Sequence, residues 1–383
     1  WVWRMLTSAE PLRERMALFW HGLLAVGAKY PMPAQAQLDQ IDQFRRAGLG
    51  RYEDLLRLTA RDPVMLAWLD NDKNTAATVN ENFGRELLEL FTLGRGHYDE
   101  ADVKACALAF TGWGMLPMLN YFPFGPMTPR FVYRTEQHHP QPVTLLDRQV
   151  HSGDEVIALL AQHPATARRI SARLYRAFVS DHVTPAGEQH IDQLTQRYLD
   201  HDSDIAQVLR LLLTSPMFRS REARQAKVKD PVSFVIGFAR NLMTWPVPTL
   251  EVPALCATLE SMGMMLLNPP SVAGWRSGPE WIDCGTLLAR INYCTNHLGD
   301  PAAPAAQQLI RRLRDRHPGS WDDLLQHCLA ELGGIDLGPD NLQVVRDHLA
   351  TLPPLQLHDD DLTERRICEV AVLITATPEY QQY

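Results

Sequence analysis

One segment of the chain, residues 80–94, constrains the fold more than any other. It reads NENFGRELLELFTLG, which places three glutamates and an arginine on one run that ends at a glycine. Phe83, Leu87 and Leu90 recur at the spacing of an α-helix, so they predict one buried stripe. Glu86 lies at the edge of that stripe. The final glycine is suited to the left-handed conformation that closes a helix. The segment therefore predicts a central helix with half-buried carboxylates.

Helical periodicity with polar starts recurs along the rest of the chain, so the predicted fold class is mainly α, a multi-helical globular fold. Only residues 130–134 and 142–146 have the composition and length of strands. We predict that these two segments pair as one small β-hairpin, with His138 and His139 in its turn. Residues 115–128 contain three prolines among aromatic residues and methionines, which predicts an ordered loop that covers part of the molecule.

The composition is that of an ordinary soluble protein with a substantial core. The 383 residues are 45% hydrophobic and 21% charged, which fits one large domain or two closely packed ones. A composition shift at residues 299–304 predicts a main helical domain over 1–300 and a C-terminal helical subdomain over 301–383, packed on the first. The net charge of −8 is spread along the chain without a basic run, so a nucleic-acid partner is not expected.

Several common function classes lack their motifs in this chain. The apolar runs fall short of the roughly 20 residues that a membrane-spanning helix needs. The sequence contains no Walker loop, GxGxxG, GxSxG or HExxH pattern, which argues against the commonest nucleotide, hydride-transfer, serine-hydrolase and zinc-protease sites. Any chemistry must therefore come from a less familiar arrangement.

Three segments supply more polar groups than packing needs: the helix around His21, the 80–94 segment and the predicted histidine turn. Histidine and carboxylate side chains bind divalent metals such as zinc, iron or manganese, and they also serve as general acids and bases. The candidate catalytic residues are His21, Glu81, Arg85, Glu86, Glu89 and His138. The candidate metal ligands are His21, Glu86, His138 and His139. No cofactor follows from the sequence beyond a divalent metal as a candidate.

A structural role explains the same residues. Arg85 is four residues from both Glu81 and Glu89, so the three can form ion pairs along one helix face. If Arg85 is buried in such a network, its removal is expected to cost about 3–5 kcal/mol, because it strands buried carboxylates. His21 follows two aromatic residues on an apolar helix and can equally be a hydrogen-bonded core residue. Both interpretations stay open at this point.

The chain resembles the bacterial family known as domain of unknown function 1800, which has no settled activity. The resemblance covers nearly the whole chain and rests on a series of short motifs. These are Phe19-Trp20-His21, the 80–94 segment, residues 98–103, Thr111-Gly112-Trp113, a histidine-containing segment over 131–146, residues 163–168, Lys229-Asp230-Pro231, Pro269-Pro270, Gly274-Trp275 and residues 377–380.

The resemblance has implications for partners and compartment. Members of this family are often encoded beside a second family that resembles sulfatases and is often exported, so a sulfatase-like protein is the implied partner. Export to the periplasm or envelope is the implied location, although the cytoplasm stays open. The first residue is tryptophan, so we expect a preceding segment, which in relatives includes a further helix and sometimes an export signal.

At three positions the chain departs from the pattern that its relatives share. Leu23 stands where a second histidine is usual, His139 where aspartate is usual, and Val143 where lysine is usual. We therefore expect metal affinity, if the site is a metal site, to be weaker than in a typical relative. Two functions remain: an enzyme-like or metal- or cofactor-binding protein, with hydrolase-type chemistry the least specific form, or a non-catalytic interaction or assembly partner of the sulfatase-like protein.

Overall fold

The computed structural model describes residues 1–27, 32–116, 120–121, 125–126, 129–353, 355 and 361–383. The helices over these residues, in chain order, are α1 (Val2–Thr7), α2 (Pro11–Leu23), α3 (Ala34–Ala47), α4 (Tyr52–Ala60), α5 (Pro63–Trp68), α6 (Asn82–Glu86), α7 (Glu100–Ala109), α8 (Gly153–Ala161), α9 (Pro164–Phe178), α10 (Pro185–Asp200), α11 (Ile205–Thr214), α12 (Pro231–Leu242), α13 (Glu251–Ser261), α14 (Cys284–Leu298), α15 (Pro304–Arg314), α16 (Trp321–Glu331), α17 (Pro339–Ala350) and α18 (Asp361–Thr375). The predicted fold class, mainly α, is confirmed.

The β structure is limited to short antiparallel pairs. The strands are β1 (Trp113–Leu116), β2 (Asn120–Tyr121), β3 (Gly125–Pro126), β4 (Arg130–Tyr133), β5 (Val143–Leu145) and β6 (Arg148–Val150). Within the described residues, β1 pairs with β4, β2 with β3, and β5 with β6.

The two predicted strands exist as β4 and β5, but the prediction that they pair with each other is wrong. β5 turns back at once onto β6, because Leu146 and Asp147 both adopt positive φ (49° and 61°), the conformation of a tight two-residue turn. β4 pairs instead with β1, which precedes it by about a dozen residues. Most of the predicted covering loop at 115–128 lies outside the described residues.

The helices begin where the sequence supplies caps. The carboxylate of Asp62 accepts hydrogen bonds from the backbone amides of Val64 and Met65 at the start of α5. Asp99 and Asp102 form a reciprocal capping box at the start of α7. Such caps satisfy amide groups that have no partner inside the helix, so local sequence alone sets many helix starts.

The chain divides into two compact units, each with its own core. The larger unit comprises Glu10–Ser220 and Leu267–Trp275, and it contains α2 to α11 and all six strands. In this unit α9 packs on α10, α10 on α11, α2 on α3, and α6 on α7. Its core includes the fully buried Trp20, Tyr52 and Phe110.

The smaller unit comprises Trp1–Ala9, Arg221–Leu266 and Arg276–Tyr383. Here α14 packs on α18, α1 on α12, α12 on α13, and α15 on α16. Residues 301–383 thus belong to a unit that also includes earlier segments of the chain. The boundary predicted at residue 300 stays a prediction.

Among the helices that the structure describes, none combines the length and the apolar character needed to cross a lipid bilayer.

Candidate functional site

The 80–94 segment forms α6 and continues into a π-helical turn at Leu87–Phe91 before Gly94 ends it with a φ of 84°. The predicted helix and its glycine stop are confirmed. Phe83 and Leu87 are buried as predicted, but Leu90 is not. The wider hydrogen-bond spacing of the π turn shifts the side chains around the axis, so Leu88 and Phe91 are buried in its place.

The π-helical turn leaves two backbone carbonyls that side chains from other helices bind. The hydroxyl of Tyr52 donates to the carbonyl oxygen of Phe91 at 2.5 Å. Arg169 donates from Nε and Nη2 to the carbonyl oxygen of Leu90 at 3.3 and 3.1 Å. A π turn within an α-helix often marks a functional site, so its surroundings merit description.

Arg85 is not buried, which corrects the expectation of an internal network. Its side chain is 36% exposed and donates to both carboxylate oxygens of Glu100 at 2.8 Å, with Glu81 at 3.3 Å. Glu100 is itself 76% exposed. The pairs therefore lie at the surface, because α6 turns this face outward while Phe83 and Gly84 face the core.

Arg85→Ala is accordingly expected to lower the free energy of unfolding by less than about 1 kcal/mol, the range of solvent-screened ion pairs. Urea denaturation measures this. Arg85→Met is the matched variant, because it keeps most of the aliphatic stem without the charge. A loss of several kcal/mol in Arg85→Ala would contradict the surface placement and support the buried network instead.

Glu89 and Glu86 are neighbours that differ in their hydrogen-bond partners and in burial. Glu89 accepts hydrogen bonds from Arg95 at 2.6 Å and from the Tyr98 hydroxyl at 3.1 Å, and the bond from Arg95 lowers its pKa. Glu86 is half-buried, and burial together with the charge of Glu89 raises its pKa. Of the predicted site residues, the structure brings together Glu81 with Arg85, and Glu86 with Glu89.

His21 is a core residue of α2. It is 2% exposed, and its ring centroid lies 5.1 Å from that of Trp275 and 6.4 Å from that of Phe44. Burial lowers its pKa to about 3, so the imidazole is neutral at physiological pH.

His138 and His139 follow a short 3-10 turn after β4 instead of occupying a hairpin turn. Nδ1 of His138 lies 2.9 Å from the carbonyl oxygen of Thr111, and Nε2 lies 3.2 Å from that of His151. The backbone amide of His139 donates to the Thr111 hydroxyl at 2.8 Å. These bonds tie the segment to Thr111, just beyond the end of α7, and to the backbone of His151.

No group of three or more histidine, cysteine, aspartate or glutamate side chains in the described part of the chain is placed to hold a metal ion. The structure therefore does not gather His21, Glu86, His138 and His139 into one ligand set. The physical reason is that each histidine is held by its own neighbours.

A different polar site lies beside the π-helical turn, on α9. We call it the arginine pocket. It is an open pocket with a volume of about 580 Å³. Its lining residues are Leu93, His97, His163, Pro164, Ala165, Arg168, Arg169, Ala172, Arg173 and Arg176.

The arginines of this pocket differ in how their charges are compensated. Arg168 forms ion pairs with Glu188, at 2.6 Å, and with Asp192 on α10. Among the described residues, neither Arg169 nor Arg173 forms an ion pair, although both are half-buried. Spacings of four and three residues put Arg169, Arg173 and Arg176 on one face of α9.

Burial lowers the pKa of Arg173, and the positive charges of Arg169 and Arg176 act in the same direction. Burial also lowers the pKa of Arg169, against the opposing effect of Tyr52 and Glu89. Both shifts reflect the partial removal of these two guanidinium groups from water. Gly94 permits the side chain of Arg169 to lie close to the end of the 80–94 segment, because a Cβ at residue 94 would lie 2.9 Å from Nη1 of Arg169.

His163 caps α9 and faces the same pocket. Its Nδ1 accepts a hydrogen bond from the backbone amide of Ala165 at 3.1 Å. Burial lowers its pKa, and the nearby His97 acts in the same direction, which favours the neutral ring. A neutral ring that accepts at Nδ1 carries its proton at Nε2, so His163 has a hydrogen-bond donor to offer.

The sequence carries a signal for this site in the charge composition of α9. The α9 segment holds four arginines and no aspartate or glutamate over 15 residues. An exposed helix usually balances such charges with carboxylates three or four positions away. Their absence indicates that the positive charge has another partner.

The sequence profile of the family described as "Protein of unknown function (DUF1800)" matches residues 1–382, so the chain belongs to that family. No curated protein and no solved structure matches the chain. The function must therefore be inferred from the residues of the site and their geometry.

Proposed function

We propose that this member of the DUF1800 family binds a ligand with a compact anionic group, such as a phosphate or sulfate ester, in the arginine pocket. The observation that carries the proposal is Arg173. It is half-buried beside Arg169 and Arg176 with no carboxylate partner among the described residues.

The energetics favour an anion at this position. Removing a guanidinium from water is costly unless another group restores its hydrogen bonds and balances its charge. An oxyanion does both, because the planar guanidinium matches two oxygens of a phosphate, sulfate or carboxylate group. The chain as a whole carries a net charge of −8, so attraction of an anion must come from this local concentration of positive charge.

The size and lining of the pocket indicate an anionic group on a larger molecule. A volume of about 580 Å³ is that of a small-molecule site. Leu93, Pro164, Ala165 and Ala172 supply apolar surface beside the arginines. We therefore expect an organic ester or acid to bind more tightly than inorganic phosphate.

Calorimetric titration tests the proposal directly. The probes are inorganic phosphate, inorganic sulfate and a hexose 6-phosphate, with the uncharged hexose as the ligand control. Arg173→Gln is expected to weaken binding of the hexose phosphate by about 10-fold or more, because a hydrogen bond to a charged group contributes about 1.5–3 kcal/mol. Arg173→Lys should retain part of the affinity.

Arg210→Gln is the matched control. It makes the same change in charge and size at an exposed position on α11, outside the pocket. Equal effects of the two glutamine variants, or no binding of any anion by the unaltered protein, would refute the proposal. Release of nitrophenol from nitrophenyl phosphate and nitrophenyl sulfate under the same conditions distinguishes hydrolysis from binding alone.

An enzyme-like function, as expected from the sequence, is compatible with this proposal, but most of the residues that would carry it are different. Of the predicted site residues, Glu89 adjoins the pocket, since its charge acts on Arg169. His97 and His163 are the groups at the pocket that could move a proton during ester hydrolysis. The alternative role, as partner of a sulfatase-like exported protein, stays a proposal that rests on the family resemblance alone.

A further inference from the structure

The smaller unit contains a second site, built around Lys229. The chain has 37 lysines and arginines, but only five of them are lysines: Lys29, Lys73, Lys104, Lys227 and Lys229. A half-buried lysine in a chain that otherwise uses arginine calls for a chemical reason, because an amine can lose its proton and a guanidinium cannot.

The backbone around Lys229 is held firmly. Its amide donates to the carbonyl oxygen of Gln381 at 2.8 Å, and its own carbonyl accepts from Nη2 of the buried Arg290 at 2.8 Å. The side chain is held too. Nζ donates to the carbonyl oxygen of Tyr380 at 2.7 Å and lies 4.1 Å from the centroid of the Tyr380 ring. The amine is therefore held in one place.

Lys229 lines a cavity of about 600 Å³ together with Ser233, Phe234, Gly237 and other residues of the smaller unit. Among the described residues, no carboxylate forms an ion pair with its amine. Burial lowers the pKa of Lys229 to about 8, and the positive charge of Arg290 acts in the same direction, whereas Cys294 opposes it. Near pH 8 about half of this amine is neutral, compared with about 1% or less of an ordinary lysine with a pKa of 10.4.

A neutral amine at the wall of this cavity is a nucleophile. We propose that Lys229 is a covalent binding site for a small carbonyl compound that carries a carboxylate, a 2-oxo acid. The lone pair of Nζ adds to the carbonyl carbon, and the carbonyl oxygen takes up one of the two amine hydrogens as a proton. Loss of that oxygen as water, with the two amine hydrogens, leaves an imine between Nζ and the ligand.

Arg224 accounts for the acid part of the ligand. Arg224, an exposed residue, lines the same cavity and forms no ion pair in the described part of the chain. A carboxylate beside the reacting carbonyl would give this charge a partner. The other arginine of the cavity, Arg316, is already paired with Glu331 at 2.5 Å.

Reductive trapping tests the proposal on the unaltered protein. Incubation with glyoxylate or pyruvate and cyanoborohydride at pH 8, followed by peptide mass mapping, is expected to label Lys229 at least 10-fold faster than the exposed Lys73 and Lys104. These two surface lysines are controls within the same molecule. Equal labelling of the three lysines, or labelling that spares Lys229, would overturn the site.

A second comparison tests the carboxylate. Arg224→Gln is expected to slow labelling of Lys229 by pyruvate and to leave labelling by acetaldehyde unchanged. Lys229→Arg keeps a positive charge at this position and should remove the adduct while the thermal unfolding transition persists. If pyruvate and acetaldehyde label Lys229 equally in both the unaltered protein and Arg224→Gln, the assignment of a 2-oxo acid is wrong.

Discussion

Gly274→Ala is expected to lower the free energy of unfolding by about 3–5 kcal/mol, for two reasons that act together. Gly274 has a φ of 87°, a conformation in which a side chain costs roughly 1–2 kcal/mol. An added Cβ would also lie 2.0 Å from the carbonyl oxygen of Gly22 in α2. That oxygen belongs to a helix backbone and cannot move away cheaply, so overpacking adds to the strain. Urea denaturation measures the loss.

Gly96→Ala separates the two contributions. Gly96 has almost the same φ, 86°, but a Cβ there meets no atom within 4 Å. This variant is therefore expected to lose only the conformational part, about 1–2 kcal/mol. Equal losses in the two variants would mean that the close approach of Gly274 to α2 contributes nothing.

Trp20→Ala is the second large effect, with an expected loss of about 3–5 kcal/mol in unfolding free energy. Trp20 is fully buried in α2 and stacks on Tyr52, with ring centroids 5.3 Å apart. Its Nε1 donates to the carbonyl oxygen of Gly48 at 2.8 Å. The substitution opens a cavity and leaves that buried carbonyl without its donor, so both the packing and the hydrogen-bond terms are lost.

Trp20→Phe is the matched variant for this residue. It keeps an aromatic ring against Tyr52 but removes the indole N–H, so we expect a smaller loss, about 1–2 kcal/mol. Thermal unfolding of the three proteins side by side checks the order. A phenylalanine variant as unstable as the alanine variant would place the whole effect on the hydrogen bond to Gly48.

The helices of this chain could be predicted well because their signals are local. Proline at the first helical position with a capping residue before it appears at Asp62-Pro63, His163-Pro164, Thr184-Pro185 and Asp230-Pro231, and the structure begins a helix at each. A cap and the helix that it starts are separated by two or three residues. The start of each of these helices is therefore determined without contacts from distant parts of the chain.

Strand pairing could not be predicted in the same way. β4 and β5 were identified as extended segments, yet the partner of β4 is β1, and β5 pairs with β6 across a Leu146-Asp147 turn. That turn lacks the Asn-Gly or Asp-Gly pair that usually announces a two-residue hairpin. The composition of a segment indicates that it is extended. Which strand it pairs with depends on which other segment the folded chain places beside it.

The burial and the ion-pair partners of the polar residues could not be predicted, for a related reason. Burial and partners decide whether a charged residue is reactive, and neither is visible in a single sequence. Arg85 looked suited to an internal network and proved to be paired at the surface with Glu100. Nothing in the local sequence around Arg173 shows that its neighbours in space leave it half-buried, with no carboxylate paired to it among the described residues.

The sequence by itself determined the mainly α class, many of the helix starts, the glycine stop at Gly94 and the family to which the chain belongs. These features depend on neighbours within a few positions or on the motif pattern as a whole. Only the tertiary structure decided which charges lack a partner. It placed Arg169 and Arg173 beside the π-helical turn, and Lys229 beside Tyr380, across about 80 and 150 positions of sequence respectively. The free energy of a charge is set by the groups around it in space, and chain folding alone brings those groups together.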